Sequence, residues 1–233
     1  MSVNFVLSQH DILEPIECDR VLHRIVELRG HWTKRSEDGF FTLGAASYLD
    51  ASPDRARYLA SAEVANPVLK ASFASLLERV RVFLEDLLGS AVAYHPRFAL
   101  PGFHVYVVDG TDRSGDDTSL RAHFDLQWMH LFSKEVPAGT LSFTVPIEQP
   151  TGGASMEVWH TTYDGALRLG TSARSYAARH PSQRVPYVRG RMVVHDGLVL
   201  HAIGRAGVPA PSGHRVTLQG HGIQTPEGWI LYW

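Results

Sequence analysis

The chain divides near residue 91 into a helix-like part and a β-rich part, and the order of these parts constrains the fold most strongly. In residues 1–90, apolar side chains recur at helical spacing, most clearly over 69–88, and Gly89 ends that pattern. Beyond residue 91, short runs of β-branched and aromatic residues alternate with clusters of Gly, Pro, Asp and Ser. Helices first and strands afterwards favour an α+β fold over an alternating α/β fold.

Three helices are predicted in the first part. One covers residues 17–28, with Gly30 just beyond its end. Ser52 and Asn66 are each followed by proline, which is the pattern of an N-cap and the first helical residue. We therefore predict that one helix begins at each of these two pairs, and that the apolar stripe after Asn66 packs into the core.

The second part predicts many short strands separated by turns. The strand-like segments are 103–108, 124–132, 140–147, 155–161, 191–194, 198–203 and 215–220. Such a series is typical of a sandwich, jelly roll or barrel, here with the helices covering one face of the sheet. We therefore predict one α+β domain over residues 1–233, in which 1–90 are mainly helical and 91–233 form the jelly-roll core.

Composition and charge narrow the classes of function. The chain has 22 Lys and Arg against 24 Asp and Glu, so its net charge of −2 gives no electrostatic reason to expect nucleic acid or an anionic membrane as a partner. No apolar run approaches the roughly 20 residues of a membrane helix. Residues 1–5 lack the basic and apolar regions of a secretion signal, and the single cysteine, Cys18, excludes an internal disulfide. We therefore expect a cytoplasmic protein.

Two segments carry residues that suit a metal ion. Period-two alternation in a strand places His123 and Asp125 on one face, and His201 lies in a second strand-like segment downstream. Two imidazoles and one carboxylate can occupy one face of an octahedral metal and leave three positions open, as in non-haem Fe(II) oxygenases. Each residue taken alone would more often be a turn or core residue, and with 13 histidines in the chain some such spacings arise by chance.

A possible anion site lies downstream of these residues. Arg215 and Thr217 share one face of a strand-like segment. A guanidinium offers a planar fork to a carboxylate, and a threonine hydroxyl adds a further donor. Together they could hold the far end of a dicarboxylate whose near end binds the metal.

The order His-x-Asp, a distant His and then Arg-x-Thr resembles the Fe(II)/2-oxoglutarate-dependent dioxygenase superfamily. Residues 141–147, followed by a double glycine, resemble the middle of that fold, and residues 190–201 resemble the segment that carries its distal histidine. The resemblance spans roughly residues 103–222. The helical part carries no diagnostic motif.

The resemblance implies a double-stranded β-helix, a jelly roll of the cupin-like type, with N-terminal helices packed on one sheet. It implies that His123, Asp125 and His201 bind Fe(II), and that Arg215, assisted by Thr217, binds the distal carboxylate of 2-oxoglutarate. Dioxygen would be the second cosubstrate, and succinate and carbon dioxide would be released. Because the triad carboxylate is present, hydroxylation or desaturation is favoured over halogenation. No catalytic side chain beyond the metal ligands is predicted.

Several further residues are candidates for a substrate pocket, each with a competing role in packing or on the surface. The candidates are His104, Tyr106, Trp159 and Gln219. His221 continues the face of Gln219, and His195 is interpreted as a structural residue or one that supports a ligand. Residues 109–118 form a polar loop that we interpret as a lid, and Arg205 is interpreted as a loop arginine.

The leading hypothesis is a hydroxylase that acts on a small molecule such as an amino acid or a specialised metabolite. Two alternatives stay open: a cupin-like metalloenzyme that does not use 2-oxoglutarate, and a non-catalytic jelly-roll binding domain. The apolar residues 229–233 either complete the core or dock on another subunit, so a homo-oligomer is also open.

Overall fold

The computed structural model describes residues 7–37, 39–107, 121–132, 137–149, 153–204 and 214–233. The strands are β1 (Leu7–Asp11), β2 (Trp32–Lys34), β3 (Phe40–Leu43), β4 (Val92–Tyr94), β5 (Gly102–Val107), β6 (Thr140–Glu148), β7 (Ser155–Thr162), β8 (Gln183–Pro186), β9 (Arg191–His195), β10 (Val199–Ile203), β11 (His214–Thr225) and β12 (Gly228–Tyr232). The helices are α1 (Pro15–Glu27), α2 (Ser47–Asp50), α3 (Arg55–Leu88), α4 (Trp128–Leu131), α5 (Tyr163–Arg168) and α6 (Ala173–Ala177), and a 3-10 turn covers Arg29–His31.

The described strands form a large sheet and a small one. The large sheet has the order β1-β9-β6-β11-β5-β3-β2, with β12 paired to both β11 and β4. The small sheet has the order β10-β7-β8. Neighbouring strands are antiparallel except for β12 and β4. The predicted α+β class with a β-rich core is confirmed.

The large sheet has one apolar face and one polar face because side chains alternate along each strand. In β6, Leu141, Phe143 and Val145 belong to a core cluster that also contains buried side chains of α1 and α3. Ser142 and Thr144 point the other way, into a cavity. The helices therefore cover one face of the large sheet, as predicted, and leave the opposite face free to build a site.

The first ninety residues contain more β-structure than the sequence predicts. Strands β1, β2 and β3 all join the large sheet. They are five, three and four residues long, which is too short to show a clear alternation. The description of residues 1–90 as mainly helical holds for α1 and α3 and fails for these three segments.

The predicted helix start at Asn66 is wrong. Helix α3 begins at Arg55, where the Asp54 side chain accepts hydrogen bonds from the amides of Ala56 and Arg57, and it is kinked at Phe73. Proline 67 lies inside this helix. Instead of capping, the Asn66 side chain donates to the Phe98 carbonyl and accepts from the Leu100 amide. Its N-cap-like pattern therefore reflects a tertiary contact.

The predicted strand over 124–132 is also wrong. Within this segment Trp128–Leu131 form α4, whose Trp128 and Leu131 are buried. Only the adjacent His123 makes a β-bridge, and its partner is His201 of β10. The apolar residues that resemble a strand are in fact the buried side of a short helix.

The C-terminal residues complete the core. Trp233 is fully buried, and a Cβ on Gly102 would lie 2.2 Å from its indole ring. The Trp233 amide donates to the Ala99 carbonyl, and its carbonyl accepts from the Tyr58 hydroxyl. Packing inside the chain therefore accounts for the apolar end.

Two sequence predictions lie outside the described residues: the lid at 109–118 and the loop residue Arg205. None of the helices that the structure describes is both long enough and apolar enough to cross a membrane.

Candidate metal centre and its cavity

His123, Asp125 and His201 meet at one point of the fold. One ligand atom from each residue lies within 4.8 Å of the other two. His123 and His201 exchange both backbone hydrogen bonds of their bridge, at N–O distances of 2.9 and 3.1 Å. The Asp125 amide donates to the Gly197 carbonyl in the turn that precedes β10. The backbone thus fixes the three side chains relative to one another.

Hydrogen bonds orient both imidazoles toward the centre of this group. The Nδ1 atom of His123 lies 2.8 Å from the Arg121 carbonyl, and Nδ1 of His201 lies 2.9 Å from the Val199 carbonyl. A carbonyl only accepts, so each Nδ1 carries the proton and each Nε2 keeps a lone pair. The Nε2 atoms lie 3.8 and 3.5 Å from the Asp125 carboxylate. Both rings therefore present the donor atom that a metal requires.

The surroundings keep Asp125 ionised and His201 neutral. Burial raises the pKa of Asp125, but His201, His221, His123 and His195 together act in the opposite direction and hold that pKa well below its ordinary value. Burial lowers the pKa of His201 to about 3. A carboxylate and neutral imidazoles are the protonation states that ligate a metal.

The metal-ligand group lines a cavity of about 470 Å³ between the two sheets. This volume lies within the range of small-molecule sites, roughly 300–1,000 Å³. The large sheet contributes side chains from β5, β6, β9 and β11, and the small sheet contributes Met156, His201 and Ile203. Asp125 is the only carboxylate among the described residues that line this cavity.

Arg215 lines the same cavity, and its charged side chain is buried. Its side chain is flanked by the rings of Tyr106 and Tyr187, with the guanidinium carbon 5.5 and 5.9 Å from their centroids. Its Nε has no hydrogen-bond partner among the described residues. A buried charge without a counterion is costly, and a guanidinium prefers a planar carboxylate. This part of the cavity is therefore suited to an anion.

The other predicted residues of β11 lie beside Arg215. Gln219 lines the cavity, and its amide donates to the Thr217 hydroxyl at 3.4 Å. Thr217 is buried and is not among the residues that line the cavity. It lies two residues from Arg215 on the same strand, and its hydroxyl accepts the hydrogen bond from Gln219.

His104 and Tyr106 also line the cavity, from the adjacent strand β5. His104 pairs with Thr217 and Tyr106 with Arg215 in the β5–β11 register. The Tyr48 hydroxyl lies 2.8 Å from His104 Nε2. Burial first, and the nearby charge of Arg215 second, lower the pKa of His104 to about 3, so this imidazole is neutral.

Trp159 is not brought to the cavity, which corrects its assignment as a pocket residue. It packs in a separate cluster with Ala177, Leu200 and Ala202, and its indole N–H donates to the His180 carbonyl. In the small sheet the side chains of β7 alternate between two faces, and Met156 rather than Trp159 reaches the cavity.

His195 and three residues that the sequence analysis does not single out complete the wall. The His195 ring centroid lies 4.4 Å from that of His201, and its Nδ1 bonds to the Asp196 carbonyl. Ser142, Tyr187 and Tyr48 also line the cavity. The alternation in 140–147 places Ser142 and Thr144 on the polar face, so that signal could have identified Ser142. Tyr187 and Tyr48 follow no pattern that points to a site.

The donor set fits Fe(II) and a dicarboxylate. Two imidazole Nε2 atoms and one carboxylate on one side of an ion match the facial triad of non-haem iron sites. The unpaired, buried Nε of Arg215 and its aromatic walls match a carboxylate. Both features face one cavity.

Searches against known proteins place this fold in a defined class. No protein-family model matches the chain, and no curated protein does. Solved structures do match over nearly the whole chain, and they share its double-stranded β-helix fold. At sequence identities of 14 to 17%, the likeness establishes the fold.

Three of these structures illustrate the similarity to this chain, with TM-scores from 0.60 to 0.50. An N-substituted L-amino acid dioxygenase from Burkholderia ambifaria, solved with α-ketoglutarate (2-oxoglutarate), is 17% identical with a TM-score of 0.60, covering 98% of this chain and 86% of that one. AviO1 from Streptomyces viridochromogenes is 16% identical with a TM-score of 0.53, covering 96% and 91%. The α-ketoglutarate-dependent epimerase SnoN from nogalamycin biosynthesis is 14% identical with a TM-score of 0.50, covering 94% and 80%.

Proposed function

We propose that this protein is an Fe(II)- and 2-oxoglutarate-dependent dioxygenase that hydroxylates a small molecule and releases succinate and carbon dioxide. One observation carries the proposal: the metal-ligand group and Arg215, whose Nε has no partner among the described residues, face the same cavity. A keto acid with two carboxylates is a ligand that uses both features at once. The shared fold with structures that bind α-ketoglutarate supports this assignment.

His123, Asp125 and His201 would hold the iron, and Arg215 would bind the distal carboxylate of 2-oxoglutarate. Bound iron supplies the chemistry that activates dioxygen and decarboxylates the keto acid. The rings of Tyr106 and Tyr187 hold the guanidinium between them and keep water from it. Thr217 supports this end of the site through Gln219.

The cavity volume and the neighbours favour a small substrate. A volume of about 470 Å³ accommodates the cosubstrate together with a small metabolite. One structural neighbour is named as an N-substituted L-amino acid dioxygenase and another as an epimerase from nogalamycin biosynthesis. We therefore propose an amino acid or a specialised metabolite as the substrate, with His104, Tyr106 and Gln219 in the pocket wall.

We also propose that residues 1–233 form a single domain, because α1 and α3 share one core cluster with the large sheet. A cytoplasmic location, the absence of nucleic-acid and membrane partners, and the oligomeric state stay predictions from the sequence.

The test is an anaerobic titration of metal-free protein with Fe(II) and then with 2-oxoglutarate, followed by visible absorption. The proposal predicts a weak charge-transfer band in the wild type, its loss in Asp125→Ala, and a much higher 2-oxoglutarate requirement in Arg215→Met. Arg184→Met is the matched control, because Arg184 is 69% exposed and pairs with Glu157. Iron binding without the band would support the metalloenzyme alternative, and no iron binding would support the binding-domain alternative.

A further inference from the structure

A chain of hydrogen bonds leads from Asp125 through Ser142 to His221. The Ser142 hydroxyl lies 2.5 Å from Asp125 Oδ2 and 2.9 Å from His221 Nδ1. Ser142 on β6 and His221 on β11 stand opposite each other in the sheet register. Both side chains are buried. The sheet itself therefore holds the chain in place.

The chemistry of the three groups fixes the direction of each bond. An ionised carboxylate only accepts, so the single hydroxyl hydrogen of Ser142 points to Asp125. The Ser142 oxygen must then accept a hydrogen from His221, which places the imidazole proton on Nδ1. His221 Nε2 consequently keeps a lone pair, and it has no partner among the described residues.

We infer that Ser142 and His221 are positioning residues for the metal ligand Asp125. This inference rests on the proposed function. Residues that do not bind the metal can orient a ligating carboxylate by hydrogen bonding to it. Hydrogen bonds that form a chain polarise and strengthen one another. The chain fixes the rotation of the Asp125 carboxyl group and draws electron density from it toward Ser142.

A role for His221 in packing alone does not explain its contacts. A buried polar atom without a partner costs about 1–3 kcal/mol, and His221 carries such an atom at Nε2. An apolar side chain at this position would avoid that cost. The contribution that an apolar side chain could not make here is the Nδ1–H bond to Ser142.

Two substitutions of His221 distinguish the role of its Nδ1 atom from that of its Nε2 atom. Asparagine can place an amide N–H near the position of Nδ1 and retains the bond to Ser142, whereas glutamine extends to the position of Nε2 and loses that bond. The inference predicts that Ser142→Ala and His221→Gln raise the Fe(II) dissociation constant by about 10–100-fold, while His221→Asn stays near the wild-type value. Ser182→Ala is the matched control, since Ser182 donates to a different carboxylate, that of Glu157.

A spectroscopic readout accompanies the affinity. Without the donor from Ser142, Asp125 donates more electron density to the metal, so the charge-transfer band of the Fe(II)–2-oxoglutarate complex should move to longer wavelength. Ser142→Ala and His221→Gln should show this shift, and His221→Asn and Ser182→Ala should not. Circular dichroism of each variant checks that it is folded.

The outcomes separate the inference from the proposed function. If the wild type binds no Fe(II), the proposed function fails and the inference fails with it. If the wild type binds Fe(II) and Ser142→Ala and His221→Gln bind it equally well, the inference alone is wrong. Equal losses in His221→Asn and His221→Gln would also overturn the role of Nδ1. Should the variants not fold, nitrogen-15 NMR of the wild type decides: a proton on His221 Nε2 contradicts the inference.

Discussion

At the scale of single residues, burial lowers the pKa of four histidines that line the cavity: His104, His195, His201 and His221. His104 is an example outside the metal-ligand group: it is 3% exposed and bonded to the Tyr48 hydroxyl. Burial and the charge of Arg215 lower its pKa to about 3, against 6.5 for an ordinary histidine. Protonation of His104 therefore opposes folding.

This pKa shift gives the stability a defined pH dependence. Below pH 6.5 the unfolded chain protonates His104 and the folded chain does not, so stability is lost as the pH falls from 6.5 toward 3. We predict that the metal-free wild type loses about 2 kcal/mol more than His104→Gln between pH 7 and pH 5. Urea denaturation at both pH values measures this. Equal losses in the two proteins would show that His104 is not buried in its neutral form.

The residues of the site differ in how far the sequence reveals them. His123 with Asp125, and Arg215 with Thr217, were predicted from pairs of residues two positions apart, and His201 from the strand-like segment around it. Arg215 and His201 do lie in strands, whereas His123 makes a single β-bridge. Tyr187 could not be predicted, because its role depends on an approach to Arg215 that only the tertiary structure shows. Trp159 was misplaced for the related reason that strand alternation does not tell which face of a strand lines a cavity.

At the scale of elements, α3 stabilises the large sheet through its apolar stripe. Leu84 is fully buried in the main core cluster, whereas Val82 on the same helix is 41% exposed. We predict that Leu84→Ala lowers the free energy of unfolding by about 2–5 kcal/mol. The control Val82→Ala should change it by less than about 0.5 kcal/mol. Chemical denaturation measures both, and similar values for the two variants would contradict the packing described here.

A surface pair joins α1 to α3. Arg79 on α3 donates to both carboxylate oxygens of Glu17 on α1 and to the Ile12 carbonyl. The hydrogen bonds from Arg79 first, and from the Glu14 amide second, lower the pKa of Glu17 from 4.5 to about 2. A lowered carboxyl pKa stabilises the fold above pH 4.5, and this contribution disappears as the pH falls toward 2.

Because of this pair, the stability of the wild type and of Glu17→Gln should differ by a small amount that depends on pH. Glu17→Gln should be less stable than the wild type at pH 7 by at most about 1 kcal/mol, because the pair is partly exposed. The difference should shrink as the pH falls from 4.5 toward 2. Glu27→Gln, which removes a pair within α1 alone, serves as the control. Thermal denaturation over this pH range measures the effect, and a difference that does not depend on pH would exclude the ion pair as its cause.

Element boundaries were the least predictable feature. The apolar stripe of α3 was predicted because its apolar residues recur at helical spacing in the sequence. In the structure, seven of them, from Leu69 to Leu88, are buried. The start of this helix was not, because the Asn66 side chain bonds to residues 98 and 100 rather than to the helix. Segment 124–132 was misread because an apolar run of this length suits a strand or a short helix equally.

At the scale of the whole molecule, the fold places the site between its two sheets. The order of helices followed by strands, together with the spacing of turns, was sufficient to predict a β-rich α+β core with helices on one face. Strands β1 and β3 escaped prediction because their partners, β9 and β5, lie far along the chain. That long-range pairing leaves no local pattern. Strand β2 pairs with the nearby β3 but is only three residues long.

We propose that one cavity holds a metal ion and both ends of one keto acid. The most direct test is calorimetric titration of the wild type with 2-oxoglutarate, with and without saturating Mn(II), a metal that keeps the reaction from proceeding. If one ligand spans both sites, the metal must raise the affinity for 2-oxoglutarate, and 2-oxoglutarate must raise the affinity for the metal by the same factor. Equal 2-oxoglutarate affinities with and without the metal would contradict the account.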